Sequence, residues 1–275
     1  MNRRRLAAAA CLGLVLTVAL AGRYLTDLDP LTSAARPWTK PNREFPFGTD
    51  GLGRDVLARV LWGGRDLTVV AALAAAVASA AGVLVGLWNG WHSHDARTHT
   101  APRGRLRALT AASDLMLAVP AVLVALVLAV AAPAPIAVIA ATVIAGAPLT
   151  ARVVADVSAD ARHATYVDVA RMRGDSTASI LVREILPSHL GIVTTDYGLR
   201  VVVALQLLAT INALGLDTAP PEGDWAAMIT DNFGGVALNP VATIAPAAAL
   251  AVLATTIALA STSWGSAPTR RGSSL

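Results

Sequence analysis

Residues 115–151 read LMLAVPAVLVALVLAVAAPAPIAVIAATVIAGAPLTA, 37 positions without one charged side chain. A water-facing surface is not built that way. As one helix the run would measure about 55 Å at ~1.5 Å per residue, far beyond the ~30 Å hydrocarbon core of a bilayer. Pro133-Ala134-Pro135 sits near its middle. The stretch therefore predicts a helical hairpin in a membrane, with spans near 115–132 and 135–151. Pro120 falls inside the first, which a membrane tolerates better than water does.

Outward from this hairpin the pattern repeats. Leu67 to His94 is also free of charge and predicts a span near 67–87. Leu6 to Gly22 qualifies narrowly, and spans near 190–214 and 240–263 follow, the last containing Pro246. The composition agrees: 15% of residues are charged and 55% hydrophobic, against about a quarter charged in soluble domains. Cys11 is the lone cysteine, which excludes a disulfide scaffold. The hydrophobicity excludes disorder. The expected fold is an all-α polytopic membrane protein with six transmembrane helices.

Orientation follows from arginine. One side of the membrane would hold Arg3, Arg4 and Arg5; Arg97, Arg103, Arg105 and Arg107; Arg152, Arg162, Arg171, Arg173 and Arg183; and Arg270 and Arg271. The loop after the fifth span carries Asp217, Glu222, Asp224 and Asp231 instead. Six spans with both termini in the cytoplasm satisfy the positive-inside rule. One segment departs from it: loop 23–66, predicted outside, has six arginines and Lys40 beside six acidic residues. Trp62, Trp88, Trp91 and Trp264 fall near predicted span ends, where interfacial belts favour tryptophan. Arg3-Arg4-Arg5, the apolar stretch and Ala19-Leu20-Ala21 also imitate a secretory signal; cleavage after Ala21 would leave five spans.

Lys40 is the only lysine and lies in Thr39-Lys40-Pro41, so no Walker A loop exists. A Gly-x-Ser-x-Gly elbow is absent as well, and no catalytic constellation lies at membrane depth. The chain is therefore not read as a membrane-embedded enzyme, nor as a protein that binds ATP through such a loop.

Two stretches between the apolar runs carry information. The first is Tyr166-Val167-Asp168-Val169-Ala170-Arg171-Met172-Arg173-Gly174, followed by Ile185-Leu186-Pro187. Residues 156–173 predict a helix emerging from span four, and Gly174 a turn that side chains disfavour. Asp175-Ser176-Thr177 offers caps for a helix over about 177–186, which Pro187 breaks. The result is a basic helix–turn–helix; an ordinary inter-span loop is the plainer reading. The second stretch runs from Phe47 to Arg65. Gly48 to Gly53 is turn-rich, and Thr49 or Asp50 could cap an interfacial amphipathic helix ending near Trp62. The glycine spacing is not G-x-G-x-x-G, so a nucleotide site is a poor reading.

The first stretch resembles the "EAA" loop of binding-protein-dependent ABC importer permeases. Asp168 stands for the usual Glu and Val169 for the first Ala, while Ala170, Gly174 and Pro187 match. The second resembles the signature of the dipeptide, oligopeptide and nickel permease family, second-type subunit, at Gly48, Thr49, Asp50, Leu52, Gly53, Arg54, Asp55, Val56, Arg59, Gly63 or Gly64, and Arg65. Ser113 to Pro120, Leu214-Gly215-Leu216, Pro220-Pro221 and Trp225 are similar to further family pieces in the expected order. The usual acid near the end of span five is Leu208 here, the usual Gly after Trp225 is Ala226, and the familiar tail motif is missing.

The resemblance implies a type I importer permease fold: residues 1–66 as span, outside loop and interfacial helix, a core over 67–264, and a tail at 265–275. Within the core, segment 153–188 would carry a cytoplasmic coupling helix between spans four and five. Asp168, Ala170, Arg171, Arg173, Gly174 and Pro187 would meet an ATPase. The implied partners are a second permease subunit, two ATPase subunits and an extracytoplasmic substrate-binding protein. ATP and Mg would sit on those ATPases, this chain would bind no cofactor, and the setting is the cell membrane without nucleic acid. A secondary transporter and a permease with impaired transport remain as alternatives. Asp196 and Arg200, four apart on one helix face, with Gln206, are candidates for the translocation path; a neutralising pair with Arg200 snorkelling is the plainer account. His92, His94, Asp95 and His99 suggest a metal site on residue type alone, but a solvated loop beside four arginines fits them better.

Overall fold

The computed structural model describes residues 3–26, 29–92, 119–216 and 224–265. Ten α-helices lie among the described residues: α1 (Arg3–Ala21), α2 (Val56–His92), α3 (Ala121–Ala131), α4 (Ala134–Ala161), α5 (Thr165–Met172), α6 (Thr177–Ile180), α7 (Leu186–Ser188), α8 (Leu190–Ala213), α9 (Trp225–Asn232) and α10 (Val241–Gly265). The one β interaction among them is an isolated antiparallel bridge between Thr49 and Asp55. Five helices are long and apolar enough to cross a membrane: Leu6–Leu25, Val56–His92, Ala134–Ala161, Leu190–Ala213 and Val241–Ser263.

The hairpin is present, with a difference. Pro133 caps α4, and Pro148 lies within that helix. The first arm, α3, has 11 described residues, about 16 Å of helix. Pro120 is its N-cap rather than an interior residue. The start of the expected span, residues 115–118, lies outside the described residues.

α2 is the axis of the bundle and packs against α1, α4, α8 and α10. Its 37 residues run unbroken from Val56 to His92, about 55 Å. The expected interfacial helix ending near Trp62 is thus only the first two turns or so of α2, and Gly63-Gly64 does not interrupt it. Asp55, not Thr49 or Asp50, accepts the N–H of Leu57 (3.0 Å) at its start.

The α2–α4 contact rests on Gly82, Gly86 and Gly90. A Cβ on these would lie 2.8, 2.7 and 2.4 Å from the carbonyl oxygens of Ala147, Ala151 and Ala155, respectively. Both sets advance by four residues, the small-xxx-small spacing that lets helix backbones touch. One apolar cluster spans the bundle, from Leu67 and Ala75 of α2 through Val138, Leu205 and Ile211 to Leu253 and Met228. A second, at the His92 end of α2, joins Leu87 and Trp91 to Val154, Val167, Ala170, Ile180 and Ile185.

Candidate functional site

At the His92 end, α4 stops at Ala161 and the chain turns through Arg162–Ala164 before α5 begins at Thr165. The expected continuous helix over 156–173 is therefore two helices. Val167 and Ala170 bury one face of α5 against the second cluster, and Asp168, Val169, Arg171 and Met172 face outward. Gly174 closes α5 with φ +81. The Asp175 N–H bonds to the Ala170 carbonyl (3.1 Å) and the Gly174 N–H to that of Arg171 (2.9 Å). These are the two bonds of a Schellman cap. Ser176 then caps α6, accepting the N–H of Ser179. Arg173 spans the turn, with Nη2 at 3.1 Å from Asp175 and 3.0 Å from Glu184. Those two acids hold its guanidinium pKa above the ordinary arginine value.

Pro187 does not end the second helix. α6 passes into a π turn, Leu181–Ile185, where the N–H of Leu186 reaches back to the Leu181 carbonyl. α7 carries the chain through Pro187 to Ser188, and the break falls at His189. A proline N bears no hydrogen, so the wider turn shifts the bonding register ahead of it. The corner is anchored to α2 at Trp91: the Arg162 guanidinium lies 5.4 Å and that of Arg171 4.9 Å from its ring centroid. Arg162 also donates to the Trp91 carbonyl.

The Val56 end holds the second stretch as a knot around Asp50. This carboxylate is fully buried. It accepts the N–H groups of Leu52 and Arg54 (2.8 and 2.9 Å), Arg54 Nε (2.7 Å) and Arg59 Nη1 (2.7 Å). Arg59 also reaches Asp231 (3.9 Å) ahead of α10. Gly48 and Gly53 turn the chain with φ +71 and +76. The Thr49 Oγ1 donates to the Arg36 carbonyl (2.7 Å) and accepts the Thr39 N–H (2.9 Å). Asn239 donates to the carbonyls of Phe47 and Thr49 (3.1 and 3.0 Å), joining the knot to the start of α10. Burial pushes the Asp55 carboxyl above its ordinary pKa, against the pull of the N–H groups it caps.

Between the two ends, Asp196 of α8 accepts from Arg200 (3.2 Å), from Thr150 of α4 (2.7 Å) and weakly from Ser79 of α2 (3.4 Å). Arg200 lies against Gly146 and is 8% exposed. It is enclosed by helices rather than snorkelling. Gln206 is exposed on another face of α8, away from the pair.

Comparison with known proteins decides what this bundle is. The family model for the binding-protein-dependent transport system inner membrane component matches residues 102–265, more than half of the chain. The chain belongs to this family. It is 27% identical over 258 residues to a glutathione transport system permease protein of Pectobacterium atrosepticum, covering 90% of this chain and 81% of that protein. Against a glutathione transport system permease protein of Escherichia coli it is 28% identical over 264 residues, with coverage of 90% and 81%. A Brucella suis protein described as a peptide transport system permease is 30% identical over 218 residues, covering 78% of this chain and 70% of that protein.

In this permease the sequence singled out residues at both ends and the Asp196–Arg200 pair between them, but not the side chains that hold that pair. Gly82, Gly86 and Gly90 follow one another at intervals of four residues, a signal that the reading of spans leaves unused. Thr150 and Ser79 gave no signal, because nothing in a linear reading pairs them with Asp196. Trp225, matched to a family piece, proves structural: it is buried, and its Nε1 donates to the Val60 carbonyl (2.7 Å). Leu208 lies in the apolar core, where an unpaired carboxylate would be costly. His92 bonds to the Trp88 carbonyl; His94, Asp95 and His99, read with it as a solvated loop, lie outside the described residues, as do Pro220 and Pro221.

Proposed function

We propose that this permease is one of two membrane subunits of an ATP-driven importer for glutathione, di- or oligopeptides, or a similar small solute. The names of its relatives support that substrate class. Six spans with both termini cytoplasmic, a second permease, two ATPase subunits bearing ATP and Mg, and an extracytoplasmic binding protein complete the reading. Alternating access would be driven by ATPase closure pushing on the helix pair about Gly174.

The observation that carries it is the α5–α6 corner. Val167, Ala170, Ile180 and Ile185 root the corner in the ends of α2 and α4, and Met172 is 80% exposed at its tip. Such a corner passes a push to the bundle as one body, because interiors packed like crystals transmit strain. Asp168 and Arg171, 3.6 Å apart on its outer face, and Arg173 would face the ATPase.

The test is Gly174→Pro in the assembled transporter. Proline fixes φ near −65° and removes an N–H, so neither the turn nor its bond to Arg171 survives. Solute-stimulated ATP hydrolysis should disappear while the permease stays in the membrane. Hydrolysis stimulated as in the unaltered protein would sink the coupling assignment.

A further inference from the structure

Arg23, Trp62, Arg65 and Asp66 line an open pocket of about 210 Å³. It lies beside the crossing of α1 and α2, which is close: a Cβ on Gly22 would come within 2.6 Å of the Leu61 carbonyl oxygen, and one on Gly64 within 3.0 Å of the Ala19 Cα. Arg23 follows the last apolar turn of α1, and Trp62, Arg65 and Asp66 immediately precede the uncharged run beginning at Leu67. Both helices change from polar to apolar at this level. That is where hydrocarbon gives way to headgroups.

The charges here differ from those of the knot nearby. Arg54 and Arg59 are spent on Asp50. Among the described residues, Arg23, Arg65 and Asp66 form no ion pair. Arg23 rests 4.6 Å from the Tyr24 ring centroid and donates to the tyrosine hydroxyl, which fixes its position without neutralising it. The Trp62 Nε1 is buried and has no hydrogen-bond partner. One concavity thus offers two guanidinium groups and one carboxylate.

We infer that this pocket binds the headgroup of a zwitterionic phospholipid with a primary amine. The phosphate would lie on Arg23 and Arg65 and the ammonium on Asp66. Guanidinium groups suit phosphate geometry, and the carboxylate discriminates an ammonium headgroup from a purely anionic one. A free dipeptide shares the chemistry of an anion beside an ammonium. The pocket is smaller than the roughly 300–1,000 Å³ of sites that enclose a drug-sized ligand, and it opens at the membrane boundary. Both features favour a headgroup whose tails stay in the bilayer.

The full transporter would be placed in nanodiscs holding phosphatidylethanolamine, phosphatidylglycerol and phosphatidylcholine in equal parts, and its retained lipids weighed by native mass spectrometry. Wild type should retain phosphatidylethanolamine over the other two. Arg23→Gln with Arg65→Gln should reduce that retention about tenfold, the effect of losing charge-assisted contacts to one phosphate. Asp66→Asn, an exposed and conservative change, should leave total retention intact and erase the preference over phosphatidylglycerol. Equal retention by wild type and the double variant would overturn the inference. So would displacement of the retained lipid by free dialanine, which would assign the pocket to a solute.

Discussion

Asp50 is the residue on which one end of the molecule closes. Removing one member of a buried ion pair costs about 3–5 kcal/mol, because the other charge stays buried without compensation. The knot is not symmetric, however. Arg59→Gln leaves Asp50 with Arg54 and two backbone N–H groups. Asp50→Asn leaves Arg59, 4% exposed, with Asp231 alone at 3.9 Å. Asp50→Asn should therefore lower the unfolding midpoint in detergent more than Arg59→Gln does; the reverse order would contradict the asymmetry. Asp55 makes a different prediction. Its carboxyl pKa is raised in the fold, first by burial. A raised acid contributes stability that is fully present below the unfolded value, about 3.9, and lost as pH rises through the folded one. Asp55→Asn keeps the cap and removes the charge. Its midpoint relative to wild type should climb as pH rises from about 4 and level off above the folded pKa; a difference independent of pH would refute the burial cost.

Among the elements, α2 and α4 are held at backbone contact by glycine. Gly86→Leu would drive a side chain into the Ala151 carbonyl and the Val154 side chain. Overpacking costs about 1–3 kcal/mol and at times more, and here backbone rather than a flexible side chain must yield. Gly13 of α1 has open space where its Cβ would stand, so Gly13→Ala should be neutral or stabilising by up to about 1 kcal/mol. Size-exclusion profiles and thermal melts of both variants would check the contrast; comparable loss in both would mean that α1 is packed as closely as α2. The same elements show how much was legible in advance. Apolar runs located the long helices among the described residues, most of them free of charge and one carrying Asp196 and Arg200, because a membrane span is specified by composition. Helix ends were less legible. Asp50 and Asp55 are both acceptable caps by type, and only the ion pairs with Arg54 and Arg59 show why Asp50 is occupied elsewhere. Pro187 was read by its usual effect, but a π turn upstream absorbs its missing N–H. The Asp196–Arg200 pair was legible as a helix-face pair, yet its burial depends on Gly146, Thr150 and Ser79 from two other helices.

For the whole molecule, the arginine count at the Val56 end first stands against the proposed orientation. The fold removes part of the conflict, since Arg54 and Arg59 are bound to Asp50 within the knot. At the other end, Arg171, Arg173 and Arg183 are exposed about the α5–α6 corner. An even number of crossings before the corner and an even number after it would put the termini and that corner on one side. α3 supplies only 11 described residues, about half a bilayer core, so the even count is the quantity to test. Cys11 is the single cysteine, and Cys11→Ser gives a background in which one position at a time can be labelled. Thr32→Cys, in the exposed loop ahead of α2, should react with a membrane-impermeant maleimide in intact cells. Ser176→Cys, at the corner, and Leu275→Cys, at the terminus, should react only after permeabilisation. Labelling of Leu275→Cys alone from outside would make the number of crossings after the corner odd. Labelling of both inner positions with Thr32→Cys protected would invert the protein, and the corner could then meet no cytoplasmic ATPase.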